Sequence, residues 1–102
     1  MQDELVALGV DAYKNHQFDY AIELLEQTDS DNWVGQLFLA MSYAIVDRLD
    51  DAQRVFFKIK ADCSDPAIRS KAETAFMALR MQLRERAERD RKQVEEEVET
   101  RD

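Results

Sequence analysis

Turn-forming residues are unusually scarce in this chain, and their scarcity restricts the folds that it can adopt. Only two glycines and one proline occur among 102 residues. Antiparallel sheets need a turn about every ten residues, and such turns are usually built on glycine, proline and short polar side chains. Apolar residues make up 45% of the sequence, and a chain of this length forms one domain with a modest core. The sequence therefore predicts an all-α fold with a few long helices.

The charge of the chain is strongly acidic and narrows the classes of partner. Fourteen basic and twenty-two acidic side chains give a net charge of −8. A phosphate backbone or an anionic bilayer would be repelled, so neither nucleic acid nor membrane is expected as a partner. The single cysteine, Cys63, cannot form an internal disulfide, and the N-terminal segment as far as Leu25 lacks the pattern of a secretory signal. We therefore expect a cytoplasmic protein.

Apolar residues at helical spacing predict five helices separated by short polar segments. We expect these helices over 3–15, from residue 18, over 33–46, from about residue 50 and from residue 66. Asp50 is the expected N-cap of the fourth helix, and Asp65 followed by Pro66 is a strong start for the fifth. The third helix is apolar on nearly all sides, which predicts that it lies at the centre of the domain.

The first four helices contain an internal repeat, in which the first hairpin corresponds to the second. Several pairs of residues at the same spacing, i and i+31, agree in size or polarity: Phe18 and Leu49, Ala21 and Ala52, Leu25 and Phe56, Leu8 and Leu39. The pattern resembles the tetratricopeptide repeat (TPR), whose small residues let paired helices approach while leucines and aromatic residues fill the gaps between them. Gly9 and Ala40 occupy one of those small positions, whereas His16 and Asp47 stand where the family usually has glycine.

The resemblance covers roughly residues 3–66 and implies a particular all-α architecture. It consists of two antiparallel helix hairpins of the TPR type, followed by a long C-terminal capping helix. We place the TPR-like helical domain at residues 1–83. The apolar residues of the last helix, from Ala72 to Val98, lie close to one face, but they become rare beyond Leu83. Residues 84–102 are therefore predicted to be a charged helical extension that frays.

In TPR proteins the first helix of each hairpin lines a concave groove that binds protein ligands. The residues at these positions are mostly apolar here: Val6, Val10, Tyr13 and Lys14 from the first hairpin, and Leu37, Phe38, Met41 and Ile45 from the second. Family members that bind the carboxylate end of heat-shock chaperones have lysine and asparagine at several of these positions, so that activity is not expected. An apolar stripe of this kind indicates a bound partner segment, a second copy of the chain, or the C-terminal helix folded back. The alternative for each of these residues is ordinary burial in the core.

Residues for catalysis or metal binding do not cluster in the sequence. His16 and Cys63 lie far apart along the chain, and the antiparallel layout does not predict that they meet. Asp29, Asp31 and Asn32 lack the glycine and the closing glutamate of a calcium loop. A phosphate-binding loop and a zinc-ligand pattern are also missing. We therefore expect no cofactor, no metal and no enzymatic activity.

The favoured interpretation is a protein–protein interaction module, an adaptor or a small chaperone, which holds a partner peptide or helix in the groove. Small size, acidity and a repeat pattern are also similar to the helical chaperones of bacterial secretion systems. The alternative is a structural protein that forms a homodimer or larger homo-oligomer through the groove or the C-terminal helix.

Overall fold

The computed structural model describes residues 2–99, and within them the side chains of residues 3–93. These residues form five α-helices and no strand, which confirms the all-α prediction. The helices are α1 (Gln2–Lys14), α2 (Phe18–Leu25), α3 (Trp33–Ile45), α4 (Leu49–Asp62) and α5 (Pro66–Glu99).

Two helix starts are capped by the side chains that the turn segments supply. Asn32 precedes α3, and its Oδ1 accepts a hydrogen bond from the backbone N–H of Gly35 at 3.2 Å. Asp65 precedes Pro66, and its Oδ1 accepts from the N–H of Ala67 at 2.9 Å. Such bonds satisfy N–H groups that have no partner inside the helix.

The predicted N-cap at Asp50 is wrong. Helix α4 begins one residue earlier, at Leu49, and its N-cap position is occupied by Arg48, whose side chain makes no capping hydrogen bond. Asp50 and Asp51 instead lie in the first turn of α4, where their negative charge is favourable beside the positive end of the helix dipole.

The helices pack in two layers. Each helix contacts its neighbours along the chain, and the backbones of α1 and α5 also approach α3. By contrast, the backbones of α2 and α4 make no such approach to each other within the described part of the chain. Helices α1, α3 and α5 therefore form one layer and α2 and α4 the other. Because α3 touches all four other helices, the prediction that it lies at the centre is confirmed.

The α1–α2 and α3–α4 connections have the same backbone conformation. His16 and Asp47 occupy equivalent positions of the sequence repeat, and both have positive φ angles, of 62° and 68°. In the first turn the N–H of Gln17 donates to the carbonyl of Ala12 at 2.8 Å, and in the second the N–H of Arg48 donates to that of Tyr43 at 2.8 Å. A left-handed residue followed by this six-to-one bond is a common way to end a helix. The repeat in the sequence is thus also present in the shape of the turns.

Close packing between α1 and α2 depends on Gly9. A Cβ atom at this position would lie 2.5 Å from Cδ2 and 2.6 Å from Cγ of Leu25. Leu25 is fully buried, as is Ala40, the residue equivalent to Gly9 in the second hairpin. The missing side chain of Gly9 therefore lets Leu25 fit against the backbone of α1.

The apolar contacts of helix α5 with the rest of the domain come from its first half, and beyond Leu83 the guanidinium of Arg86 pairs with Asp47 at 3.4 Å. Ala72 and Leu79 are buried and Leu83 is half-buried, whereas Ala87 and the other described residues beyond Leu83 are exposed. The apolar face that the sequence suggested as far as Val98 is thus not buried at Ala87, and its last members lie outside the described side chains. The helix continues to Glu99, and residues 100–102 of the predicted extension lie outside the described residues.

Candidate protein-binding groove

An open apolar groove lies between α3 and the first half of α5. It has a volume of about 460 Å³. Helix α3 contributes Leu37, Phe38 and Met41, three of the residues singled out from the sequence. Helix α5 contributes the facing wall, which consists mainly of small side chains: Ser70, Lys71, Thr74, Ala75 and Ala78.

The three α3 residues differ in how much of each side chain is available. Leu37 is 5% exposed and is part of the hydrophobic core, so for this residue the alternative of ordinary burial applies. Phe38 and Met41 are half-buried and pack against the edge of the core. Phe38 and Met41 are three residues apart, so their side chains lie on the same side of α3. Leu37 therefore forms the floor of the groove, and Phe38 and Met41 form its α3 wall.

An aromatic contact fixes the ring of Phe38. The ring centroid of Tyr13 lies 5.2 Å from that of Phe38 in an edge-to-face arrangement, and Tyr13 also contacts Phe18 at 5.5 Å. Edge-to-face pairs are favourable because the positive edge of one ring meets the negative face of the other. Tyr13 was predicted to line the groove itself. It instead lies on α1 and supports Phe38, which lines the groove.

The remaining predicted residues lie outside the α3–α5 groove. Val6 is half-buried beside α3, close enough that a Cβ on Gly35 would lie 3.4 Å from its Cγ2. Val10 is half-buried, Lys14 is exposed, and Ile45 is 47% exposed at the end of α3. The structure therefore brings three of the eight predicted residues into one cavity and places a fourth, Tyr13, directly against it.

The α5 wall of the groove was not predicted from the sequence, because most of its residues are small or polar and do not stand out as an apolar stripe. The signal present in the sequence is the i, i+4, i+8 series of Ser70, Thr74 and Ala78, which places three short side chains on one face of a helix. This face adjoins the one that carries Ala72 and Leu79, which packs into the core. Short side chains leave space where larger ones would have closed the gap between α3 and α5.

A polar contact joins the two hairpins at a place outside the groove. The hydroxyl of Tyr43 on α3 donates a hydrogen bond to Oε1 of Glu26 at the end of α2, over 2.8 Å. The guanidinium of Arg48 lies over the Tyr43 ring, with its Cζ 4.5 Å from the ring centroid. Burial, together with the bond to the Glu26 carboxylate, raises the pKa of Tyr43 to about 12. Tyr43, Glu26 and Arg48 thus form one contact that joins α3 to the end of α2 and the start of α4.

His16 and Cys63 lie at different turns of the fold, the first between α1 and α2 and the second between α4 and α5. The ring of His16 packs edge-to-face on Phe18 with 5.6 Å between centroids. Cys63 is buried after α4, where its Sγ lies 3.9 Å from the carbonyl oxygen of Asp65. Among the described residues, no three His, Cys, Asp or Glu side chains are grouped in a way that could hold a metal ion. No described helix has the length and the continuous apolar surface needed to cross a bilayer.

Comparisons of the chain with protein-family models, with curated proteins and with solved structures found no match. The groove is therefore interpreted from its own geometry and chemistry.

Proposed function

We propose that this chain is a TPR-like protein-interaction module, an adaptor or small chaperone, that holds an apolar segment of a partner protein in the α3–α5 groove. The observation that carries the proposal is the groove itself. Phe38 and Met41 remain accessible on one wall, while the short side chains of α5 keep the other wall open. A concave, mostly apolar surface with a few polar groups is the usual form of a ligand-binding site.

The dimensions of the groove favour an anchoring side chain over a whole helix. Cavities of roughly 300–1,000 Å³ typically enclose compact ligands. At about 460 Å³ the groove can hold one or two large apolar side chains of a peptide that passes along the surface. Such anchors supply most of the binding energy in many peptide complexes, with the flanking residues contributing orientation.

The charge of the lining indicates what should flank the anchor. Lys71 is the charged residue of the lining, in a chain whose net charge is −8. A partner segment with a carboxylate beside its apolar anchor would pair with Lys71, whereas a basic flank would be repelled by it. The proposed ligand is therefore an apolar peptide segment with an acidic neighbour.

Substitution of Ala78 tests the proposal without disturbing the core. Ala78 lines the groove yet is exposed, so Ala78→Arg fills the groove with a long side chain that is compatible with a helix. Ala87→Arg is the matched control, because Ala87 is an exposed alanine on the same helix outside the groove. Met41→Glu provides a second, independent block from the α3 side.

The assay begins with peptides selected by phage display on the intact chain, and it measures their affinity by fluorescence anisotropy. We expect Ala78→Arg and Met41→Glu to weaken binding at least about tenfold, equivalent to about 1.4 kcal/mol, and Ala87→Arg to leave it unchanged. The proposal fails if no peptide is enriched, or if the selected peptides bind the groove variants as well as the control.

The homo-oligomer hypothesis is separated by light scattering on the same proteins. If the unmodified chain is a dimer that Ala78→Arg converts to a monomer, the groove is an interface between copies and the adaptor proposal is wrong. If Ala78→Arg abolishes peptide binding and leaves the mass unchanged, the groove is a site for a different protein.

A further inference from the structure

A second apolar surface lies beside the cavity between α4 and α5: Phe57 and Met77 line that cavity, and Met81 lies one turn beyond Met77 on the outer surface of α5. We name it the α4–α5 face and define it by Phe57, Met77 and Met81. These side chains are 49%, 62% and 64% exposed, and the ring of Phe57 stands 5.2 Å from that of Phe76, which lies on α5 between the face and the core. A cavity of about 260 Å³ separates the two helices here. No described residue covers the face.

The opposite end of the molecule also exposes apolar residues. The α1–α2 hairpin contacts α3 but does not approach α4 or α5, so it lies at the other end of the array. Leu8 on α1 is 51% exposed, whereas Leu39, its equivalent in the second hairpin, is 5% exposed. Tyr20 on α2 is half-exposed as well. Leu39 is covered by the neighbouring helices of the array, and Leu8 has no such neighbour among the described residues.

The cavity beside the α4–α5 face is mainly basic, whereas the first hairpin is acidic. The cavity of the α4–α5 face is lined by Lys60, Arg69 and Arg80 against one carboxylate, Glu73. Residues 2–27, which span the first hairpin, contain six acidic side chains and one lysine. Two of these acids, Glu4 and Asp11, are exposed at i−4 and i+3 from Leu8 and thus flank it on the surface of α1.

This distribution decides which surfaces can meet. Two α4–α5 faces brought together around a twofold axis would oppose lysine and arginine with lysine and arginine. Two first hairpins would oppose carboxylates with carboxylates. Contact between unlike ends pairs apolar residues with apolar residues and basic with acidic ones, which is the arrangement that electrostatic complementarity favours.

We infer that the α4–α5 face docks the acidic α1–α2 hairpin of a second copy of this chain, head to tail. Leu8 of the first hairpin meets Met77 and Met81, and Glu4 and Asp11 lie opposite the basic side chains around the cavity. A head-to-tail contact leaves one free end of each kind, so association continues beyond the dimer unless the geometry closes a ring. The contact does not use the α3–α5 groove, and the inference is independent of the function proposed for that groove.

The decisive experiment mixes two variants that each lack one end. Leu8→Gln removes the apolar contact of the first hairpin without adding a charge, and Met77→Glu places a carboxylate on the α4–α5 face. Both positions are more than half exposed, so folding should be intact, which circular dichroism verifies. Sedimentation velocity then gives the mass of the unmodified chain, of each variant and of a one-to-one mixture, with Ala78→Arg as the control for the groove.

The expected results are specific to a contact between unlike surfaces. The mass of the unmodified chain rises with concentration, and its association constant falls about tenfold between about 20 mM and about 500 mM salt, since screening shortens the range of the charges. Each variant alone is a monomer. Their mixture forms a dimer and nothing larger, because each partner supplies the end that the other lacks. Ala78→Arg associates as the unmodified chain does.

Several outcomes would overturn the inference. An unmodified chain that stays monomeric at every concentration excludes it. A variant that still associates on its own indicates a contact between like surfaces, and two variants that remain monomeric when mixed exclude a contact between the two unlike ends. Loss of association in Ala78→Arg would move the contact to the groove.

Discussion

Replacement of Gly9 by alanine gives the most direct test of the packing between α1 and α2. In an exposed helix this substitution stabilises by about 0.8–1.0 kcal/mol, because alanine is the better helix former. Here the new Cβ would lie 2.5 Å from Cδ2 and 2.6 Å from Cγ of Leu25, about 1 Å closer than two carbon atoms normally approach. Leu25 is fully buried and cannot turn away without displacing other core side chains.

The two effects have opposite sign, and the clash should prevail. Overpacking of a core typically costs about 1–3 kcal/mol. After the gain in helix propensity is subtracted, we expect Gly9→Ala to lower the free energy of unfolding by about 1 kcal/mol, which lowers the melting temperature by about 4–8 °C in a domain of this size. Urea and thermal denaturation followed by circular dichroism measure both quantities.

Further variants show whether the effect depends on the contact with Leu25. At Gly35 a new Cβ would lie 3.1 Å from Oγ1 of Thr28, a milder contact, so Gly35→Ala should destabilise less than Gly9→Ala. Leu25→Ala alone should cost about 2–5 kcal/mol, but in the Gly9→Ala background the new methyl occupies part of the vacated space. The double variant should therefore be more stable than the sum of the single effects by at least about 1 kcal/mol. An increase in stability of Gly9→Ala, or strict additivity with Leu25→Ala, would refute the reasoning.

Three other substitutions test the polar contacts and the turns. Tyr43→Phe removes a phenol whose pKa is raised from 10.0 to about 12, so folding holds the proton more tightly than the unfolded chain does. The stability that this proton contributes is complete below pH 10 and is lost as the pH rises towards 12. Denaturant titrations measure the unfolding free energy of the unmodified chain and of Tyr43→Phe. The difference between the two should change by at most about 2.7 kcal/mol over that pH range. Asp65→Ala removes the cap of α5 and should lower stability by about 1 kcal/mol, whereas an equal stability of both proteins would show that the bond to Ala67 is unimportant. His16→Gly places at φ 62° the residue best suited to it and should raise the melting temperature by a few degrees, equivalent to at most about 1 kcal/mol; a decrease would mean that the contact with Phe18 outweighs the backbone strain.

The sequence predicted most of the helical architecture because the relevant signals are local. Helix periodicity located all five helices, and Asp65 followed by Pro66 marked the start of α5. The start of α4 was predicted wrongly from the capping preference of Asp50, although the internal repeat indicates the correct residue. Phe18 begins α2, and its equivalent in the second hairpin is Leu49, which begins α4.

The candidate groove was predicted only in part, because its depth is a tertiary property. Apolar residues at helical spacing identify a buried or binding face, but they do not distinguish Leu37, which is core, from Ile45, which is nearly half exposed. That distinction depends on which helices pack on either side of α3. The facing wall consists of small residues such as Ala75 and Ala78, and the shortness of a side chain becomes a groove only when another helix stands opposite.

The two-layer packing also determines how the array can bend. Within the described residues the backbone of the first hairpin approaches the rest of the domain only at α3, since α1 and α2 contact α3 and neither approaches α4 or α5. A change in the angle between the two hairpins is therefore a rotation of α1 and α2 across the surface of α3. Such a rotation would change the distance between labels on α2 and α4 while leaving the contact between α3 and α5 intact.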